Sequence, residues 1–345
     1  MIGDVDGAGG RGGTGEAQGA AHDVARGTGV NGASGDGVSA ARGTGVNGAR
    51  GAAGEGNGAL PLAERARRWR TALPATLPGA GAELMVALDI DGTLLTHDGD
   101  LSPAVAGAVA DLRDAGAQVV LSTGRSVQAV TPVAARLGLD RGWAVCSNGA
   151  VCIRLDPELD GGHEITDVVT FDPAPTLRLL REELPQGLFA VEDLGRGYKV
   201  TAPFPMGELT GQVQVVDFEE LIAAPATRVT LRAPELSSAD FDALVERVGL
   251  HGVGYAVGWT AWLDISPDGV NKASALEMLR GRMDIDAHAT VAMGDGSNDL
   301  EMLTWAAHGV AMGNSGANVR AAADAVTDTV EHDGAAVVLR ALLSR

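Results

Sequence analysis

The stretch Leu84-Met-Val-Ala-Leu-Asp-Ile-Asp-Gly-Thr-Leu-Leu95 decides the fold. Its first five residues are apolar, which is typical of a strand buried on both faces of a parallel sheet. Asp89 and Asp91 follow where that strand is predicted to end, and open α/β sheets bind ligands beyond the carboxyl ends of their strands. Two like charges on one face of an extended chain are unfavourable unless a cation or a shared proton relieves them. A divalent metal such as Mg²⁺ is the simpler explanation, and a strand followed by an Asp-Gly turn is the alternative for this stretch alone.

Two more buried runs end in polar residues. Gln118-Val-Val-Leu121 leads into Ser-Thr-Gly-Arg125, and Trp143-Ala-Val-Cys146 leads into Ser-Asn-Gly-Ala150. Helical patterns lie between these runs, and the same rhythm resumes after residue 269 with a helix from Lys272 and the strand Thr290-Val-Ala-Met293. Strands that alternate with helices predict an α/β fold with a doubly wound, Rossmann-like parallel sheet, built from residues 83–150 and 269–345.

Residues 151–268 change the pattern to alternating, half-solvated strands with two helical segments. This pattern predicts an α+β module inserted into the first fold. Within this module, four residues with polar side chains lie around a predicted glycine turn. We expect them either to reach the leaving group of a substrate or to form a solvated hairpin. They are Asp193, Arg196, Tyr198 and Lys199.

The N-terminal part of the chain differs from the rest in composition. Residues 1–58 are rich in glycine and repeat the segment Ala-Arg-Gly-Thr-Gly-Val-Asn-Gly-Ala. Such a tract cannot bury enough apolar surface to offset the entropy of ordering it, so we predict a disordered extension without a catalytic role. Residues 59–82 are predicted to form either a linker or a short helix that packs on the core.

Charge and cysteine content narrow the possible partners. A net charge of −19 argues against nucleic acid and anionic membrane surfaces, which need basic patches, but not against a small phosphorylated molecule. The two cysteines are too few for a disulfide framework and indicate a reducing compartment. The sequence shows no secretory signal pattern and no apolar run long enough to span a membrane. We therefore expect a soluble, cytoplasmic protein.

The polar groups at the strand ends, together with Lys272, resemble in order and spacing the four motifs of the haloacid dehalogenase superfamily of phosphotransferases. The best resemblance is to the Cof-like, type IIB subclass, which carries a C2-type α+β cap after the third strand. It covers about residues 84–345 and includes the later run Gly309-Val-Ala-Met-Gly-Asn-Ser315. This resemblance implies a Mg²⁺-dependent phosphatase for a small phosphorylated metabolite, such as a sugar phosphate, with residues 151–268 as the cap.

Phosphoryl transfer needs a nucleophile in line with the leaving group, a proton donor, and positive charge around the equatorial oxygens. Asp89 is predicted to be the nucleophile that forms an aspartyl-phosphate, and Asp91 the general acid and base. Thr123 and Lys272 are predicted to complete the catalytic set and to bind the phosphate.

The remaining roles follow from the family pattern. The metal ligands it implies are the Asp89 and Asp295 carboxylates and the Asp91 backbone carbonyl, with Asp299 completing or orienting that shell. Asn148 and Asn298 are expected to contact the substrate phosphate.

Each of these residues also has an ordinary structural interpretation. Thr123 can simply end a strand, Lys272 can be a solvated lysine, and Asp295 and Asp299 can form a turn and a helix cap. Arg125 is expected to make a structural ion pair or to support the substrate loop. Two rival functions remain open: a phosphomutase of the same superfamily, and a non-catalytic regulator whose Asp89 only accepts a phosphoryl group.

Overall fold

The structure is a computed structural model that describes residues 60–257 and 261–345. The predicted disordered extension of residues 1–58 lies outside these ranges. The strands of the described residues are β1 Met85–Leu88, β2 Gln118–Ser122, β3 Gly142–Cys146, β4 Val151–Leu155, β5 His163–Val168, β6 Leu188–Asp193, β7 Gly197–Val200, β8 Gln212–Val215, β9 Val229–Arg232, β10 Val253–Val257, β11 Trp262–Pro267, β12 Thr290–Gly294, β13 His308–Ala311 and β14 Ala325–Val326. The α-helices are α1 Leu62–Arg70, α2 Pro103–Asp114, α3 Val127–Arg136, α4 Ala174–Glu183, α5 Phe218–Leu221, α6 Ser238–Val248, α7 Lys272–Arg282, α8 Leu300–Trp305, α9 Ala317–Ala322 and α10 Gly334–Leu343.

The first sheet has eight strands in the order β14-β13-β12-β1-β2-β3-β4-β5. The six strands from β14 to β3 run parallel, as the buried apolar runs predicted. The chain moves from β1 to one side of the sheet through β2 and β3, and later returns to the other side of β1 through β12. The order therefore reverses beside β1, which is the point at which open α/β sheets bind ligands.

Helices cover both faces of this sheet, which is why its central strands are apolar throughout. Val86 and Leu88 pack with apolar residues of α2, α3 and α10 on one face. Met85 and Ala87, which point the other way, pack with those of α7, α8 and α9. The predicted α/β class with a doubly wound parallel core is confirmed.

The second sheet lies wholly within the inserted module and has the strand order β10-β11-β9-β6-β7-β8. Its strands are antiparallel, apart from β8, an edge strand that the sequence did not reveal and that runs parallel to β7. Side chains of α4, α5 and α6 share an apolar cluster with one face of the sheet. The opposite face carries most of the polar residues of the alternating strands.

The predicted boundary of the module is wrong at its N-terminal side. Strands β4 and β5 were expected within the module, but β4 pairs antiparallel with β3, and β5 with β4, so both extend the first sheet. These two strands form the antiparallel edge of the first sheet. Antiparallel edge strands alternate between apolar and polar residues, and so do the half-solvated strands of the module, so the sequence pattern does not separate them. The division between core and module lies after Val168.

Helix α1 resolves the two alternatives for residues 59–82, because it packs on the core. Arg65 is buried and donates through Nη1 to Asp328 Oδ2 at 2.8 Å and to the His332 carbonyl at 2.6 Å. Trp69 meets the ring of His308 edge-on at a centroid distance of 6.0 Å. No helix in the described part of the chain has both the length and the apolar character needed to cross a membrane.

Candidate active site

A buried lysine joins two of the predicted acids at the carboxyl edge of the first sheet. Lys272 Nζ donates to Asp89 Oδ1 and to Asp299 Oδ1, each at 2.6 Å. Lys272 is the first residue of α7, and Asn271 and Ser274 form a capping box that fixes this helix start. Burial alone would lower the pKa of Lys272, but the two carboxylates outweigh burial and raise it. Lys272 is therefore a charged, buried partner of Asp89 and not a solvated surface residue.

Asp299 orients the next acid through the backbone. Its Oδ2 accepts hydrogen bonds from the N–H groups of Asp295 and Gly296, both at 2.9 Å. Both oxygens of Asp299 are thus engaged by donors, so this residue positions Asp295 and Lys272. Whether Asp299 completes or orients a metal shell stays a prediction.

Asn314 braces Asp295 from the other side. Asn314 Nδ2 donates to Asp295 Oδ2 at 3.1 Å and to the Gly92 carbonyl at 2.9 Å. Asn314 Oδ1 in turn accepts from the Val330 N–H at 3.0 Å. Gly92 has a φ of +74°, and a β-carbon there would lie 2.2 Å from Asp295 Oδ2, so only glycine fits this approach.

The acids are crowded enough to favour a divalent cation. Carboxylate oxygens of Asp89, Asp295 and Asp299 lie within 4.8 Å of one another, and all three residues are buried. Burial and the Asp299 carboxylate raise the pKa of Asp89 well above its usual range and that of Asp295 to about 7. Asp89 Oδ2 has no hydrogen-bond partner among the described residues. Mg²⁺ prefers hard oxygen ligands such as these carboxylates. A bound cation would also remove the repulsion between the carboxylates that favours their protonation.

Asp91 lies apart from this group of acids. Arg125 donates to both of its carboxylate oxygens, and the Asp91 side chain is 51% exposed at the cavity described below. The expected ion pair of Arg125 is thus formed with a predicted catalytic residue. The Asp91 carboxylate does not belong to the buried acidic cluster, and its role as a metal ligand through the backbone carbonyl stays a prediction.

Three further predicted residues share the same edge. The Thr123 hydroxyl accepts from the Arg125 N–H at 3.2 Å, and the Thr123 carbonyl accepts from the Asn148 N–H at 3.0 Å. Asn298 Nδ2 donates to Asn148 Oδ1 at 2.9 Å. Thr123, Asn148 and Asn298 therefore form one polar network beside Asp89, although their segments are far apart in sequence.

A cavity of about 740 Å³ separates this edge from the face of the second sheet that α4, α5 and α6 leave uncovered. On the module side, Arg228 is almost fully buried and donates through Nη2 to both Asp264 oxygens at 2.7 and 2.9 Å. Arg228 also donates to the Tyr198 hydroxyl at 3.2 Å, and Trp262 Nε1 donates to Asp264 at 3.0 Å. All four side chains line the cavity.

The sequence predicts part of this arrangement. It singled out Tyr198, which lines the cavity, but also Lys199, which pairs with Glu220 away from it. The sequence predicts no role for Arg228 and Asp264, because charged residues that alternate with apolar ones are typical of the solvent-exposed face of any strand. The sequence predicts no role for Asn314, although this residue lies in the run Gly309–Ser315 that contributes to the family resemblance.

The haloacid dehalogenase-like hydrolase family model matches residues 86–166 and 214–339, which is more than half of the chain. The chain belongs to this family. The haloacid dehalogenase-like hydrolase is 28% identical over 264 residues to the pyridoxal phosphate phosphatase YbhA of Escherichia coli, covering 70% of this chain and 92% of that one. It is 28% identical over 270 residues to the 5-amino-6-(5-phospho-D-ribitylamino)uracil phosphatase YitU of Bacillus subtilis, covering 75% and 97%.

A solved structure of a phosphatase of the same superfamily from Bacteroides thetaiotaomicron superposes with a TM-score of 0.62. It is 26% identical and the match covers 78% of this chain and 97% of that one. The predicted superfamily is confirmed, and so is the prediction that this hydrolase is an enzyme of the phosphatase type.

Proposed function

We propose that this hydrolase is a Mg²⁺-dependent phosphomonoesterase that acts through an aspartyl-phosphate on Asp89. The observation that carries the proposal is the pairing of buried Asp89 with Lys272 beside Asp295, at the floor of a cavity sized for a small metabolite. Lys272 holds one Asp89 oxygen, which leaves Oδ2 for attack on phosphorus. The nucleophile is therefore fixed before the substrate arrives.

The reaction divides between the two acids of the Asp-Ile-Asp segment. Asp89 forms a bond to phosphorus while the bond from phosphorus to the leaving oxygen breaks. Asp91, which takes up a proton once the substrate frees one of its oxygens from Arg125, gives that proton to the leaving oxygen. Asp91 then takes a proton from a water molecule that attacks the phosphorus, the bond to Asp89 breaks, and inorganic phosphate leaves. Arg125 keeps the Asp91 carboxylate at the cavity wall, where the leaving group must lie.

The remaining residues bind the phosphoryl group. Thr123, Asn148 and Asn298 provide polar groups for the phosphoryl oxygens, and Lys272 provides positive charge. Mg²⁺, held by the Asp89 and Asp295 carboxylates and the Asp91 carbonyl, would offset the negative charge of the phosphoryl oxygens. Asp299 keeps Asp295 and Lys272 in position for this.

The substrate class proposed here is a small phosphorylated metabolite, with sugar phosphates as the first candidates. Two curated relatives are phosphatases of small phosphorylated molecules, and the cavity is bounded on the far side by polar module residues such as Arg228 and Trp262. The module would act as a cap that excludes bulk water and contacts the leaving group.

A panel of phosphorylated metabolites, assayed for inorganic phosphate with Mg²⁺ and with EDTA, tests this function. We expect stoichiometric phosphate release that needs the metal. Isomerisation of a substrate without phosphate release would show a phosphomutase instead. A stable phospho-protein without turnover would show a non-catalytic phosphate acceptor.

A further inference from the structure

A buried carboxylate outside the catalytic group joins the inserted module to the core. Glu192 Oε2, on β6 of the second sheet, accepts hydrogen bonds from Ser147 Oγ at 2.7 Å and from Thr227 Oγ1 at 2.9 Å. Ser147 directly follows β3 of the first sheet, whereas Thr227 precedes β9 of the module. Glu192 is only 6% exposed, and its Oε1 is buried without a hydrogen-bond partner in the described part of the chain. The buried Arg228 guanidinium is near enough for Glu192 to raise its pKa, but a buried carboxylate oxygen without a hydrogen-bond partner is still unfavourable, so stability alone does not explain this joint.

The turn that Glu192 holds has an unusual backbone. Ser147 and Asn148 have φ angles of +49° and +54°, in the left-handed region that residues with a β-carbon rarely adopt. The Ser147 N–H donates to the Arg125 carbonyl at 2.8 Å and the Asn148 N–H to the Thr123 carbonyl at 3.0 Å. The turn is therefore attached to the strand end that carries Thr123, and Glu192 anchors its Ser147 side chain.

The same turn also touches the other half of the site. A β-carbon on Gly149 would lie 2.3 Å from the carbonyl of Asn271, the N-cap residue of the helix that begins with Lys272. The Asn148 side chain pairs with Asn298 at 2.9 Å. A shift of the turn would therefore move Asn148 relative to both the lysine and the phosphate-binding network.

We propose that Glu192 is a positioning residue for phosphate binding. By holding the Ser147 hydroxyl it keeps the Ser147–Asn148 turn left-handed, and so sets where the Asn148 side chain meets the phosphate. Because Glu192 belongs to the module, the phosphate contact on the core is complete only when the module is seated. This inference rests on the proposed function in so far as Asn148 contacts the phosphate.

The chain offers a matched pair of variants for the test. Ser147 and Thr227 are both buried and donate to the same oxygen of Glu192, but only Ser147 belongs to the turn. The measurements are the dissociation constant of inorganic phosphate by calorimetry with Mg²⁺ present, the KM and kcat for p-nitrophenyl phosphate, and the melting temperature. We expect Ser147→Ala to weaken phosphate binding and raise KM at least fivefold. For Thr227→Val, the phosphate dissociation constant and the KM are expected to stay within twofold of the wild-type values. The melting temperature should fall by a similar amount in both variants.

Variants of the carboxylate itself complete the experiment. Glu192→Ala is expected to weaken phosphate binding as Ser147→Ala does, and Glu192→Gln, which keeps an acceptor oxygen, to recover most of the affinity. Equal phosphate affinities in Ser147→Ala and Thr227→Val would make Glu192 a purely structural joint and overturn the proposal. A wild-type protein that binds phosphate but hydrolyses no phosphomonoester would contradict only the proposed function. One that binds no phosphate would contradict both.

Discussion

Arg125 holds Asp91 through two parallel hydrogen bonds, with Nε 2.8 Å from Oδ2 and Nη2 2.5 Å from Oδ1. Asp89, two residues earlier, is held by Lys272 instead. The two acids of one short segment therefore have separate cationic partners, one buried and one at the cavity. This difference in environment supports two different chemical roles for a pair of identical side chains.

Replacing Arg125 tests whether it orients the proposed general acid. We expect Arg125→Ala to lower kcat by about tenfold to a hundredfold, because general acid–base catalysis depends on the placement of the proton donor. Arg125→Lys keeps the positive charge but cannot form the two parallel hydrogen bonds, so its kcat is expected to lie between the values of Arg125→Ala and the wild type. Steady-state kinetics with p-nitrophenyl phosphate measure both variants. Arg136→Ala, which changes a surface arginine, is the control, and an Arg125→Ala enzyme with wild-type kcat would contradict this role.

Metal binding is expected to depend on pH through Asp295. Its pKa is raised to about 7, so in the metal-free protein the carboxyl is protonated below that pH and a cation must displace the proton. The Mg²⁺ dissociation constant should therefore rise by at least about tenfold for each pH unit below 7, because the raised pKa of the Asp89 carboxyl adds to the same trend. Calorimetric titrations at pH 6 and pH 8 measure this difference. An equal Mg²⁺ affinity at pH 6 and pH 8 would contradict this prediction. The Asp295→Asn variant should bind Mg²⁺ weakly at both pH values.

Gly92 and Gly99 form a matched pair for testing the close approach to Asp295. Both have left-handed backbones, with φ of +74° and +83°, but only at Gly92 would a β-carbon meet Asp295, since Gly99 has nothing within 4 Å. Both alanine variants should lose about 1 kcal/mol of unfolding free energy from backbone strain. Only Gly92→Ala should also weaken Mg²⁺ binding, because the new β-carbon would displace the Asp295 carboxylate. The expected loss is at least about tenfold in affinity, or about 1.4 kcal/mol. Similar metal affinities in the two variants would show that Asp295 can move aside.

Two N-terminal deletions separate the predicted extension from the helix that follows it. Removing residues 1–58 should leave kcat/KM within a few-fold of wild type, because that tract contributes no residue to the proposed chemistry. Removing residues 1–71 also removes Arg65, which would leave Asp328 without its buried partner. Denaturant titration should then show a loss of at least about 2 kcal/mol. A large loss of activity on the shorter deletion would show that the extension contributes to the site.

Local patterns sufficed to predict the parallel core and the acids at its strand ends. A buried strand is apolar over its whole length, and polar residues directly after it have few structural explanations. Lys272 could be assigned a role only through the family resemblance, because its partners Asp89 and Asp299 lie 183 and 27 residues away and its burial depends on both. The family motifs thus supplied what the local pattern of a first helical turn could not.

Other features depend on contacts that no local pattern encodes. The strands β4 and β5 were placed in the wrong sheet because alternation does not say which neighbour a strand pairs with. Arg228 and Asp264 neutralise each other across two strands of the module, which a single strand cannot reveal. The left-handed turn at Ser147 is equally hidden, since its anchor, Glu192, lies on the second sheet.

The rate of p-nitrophenyl phosphate hydrolysis by Asp89→Asn, relative to wild type in saturating Mg²⁺, tests the central claim most directly. The asparagine keeps the size of the side chain and a hydrogen-bond acceptor for Lys272, so an unchanged circular dichroism spectrum is expected. If Asp89 is the nucleophile, kcat should fall by at least about a thousandfold, which is about 4 kcal/mol of transition-state stabilisation. A folded Asp89→Asn protein that keeps more than a tenth of the wild-type rate would contradict the assignment.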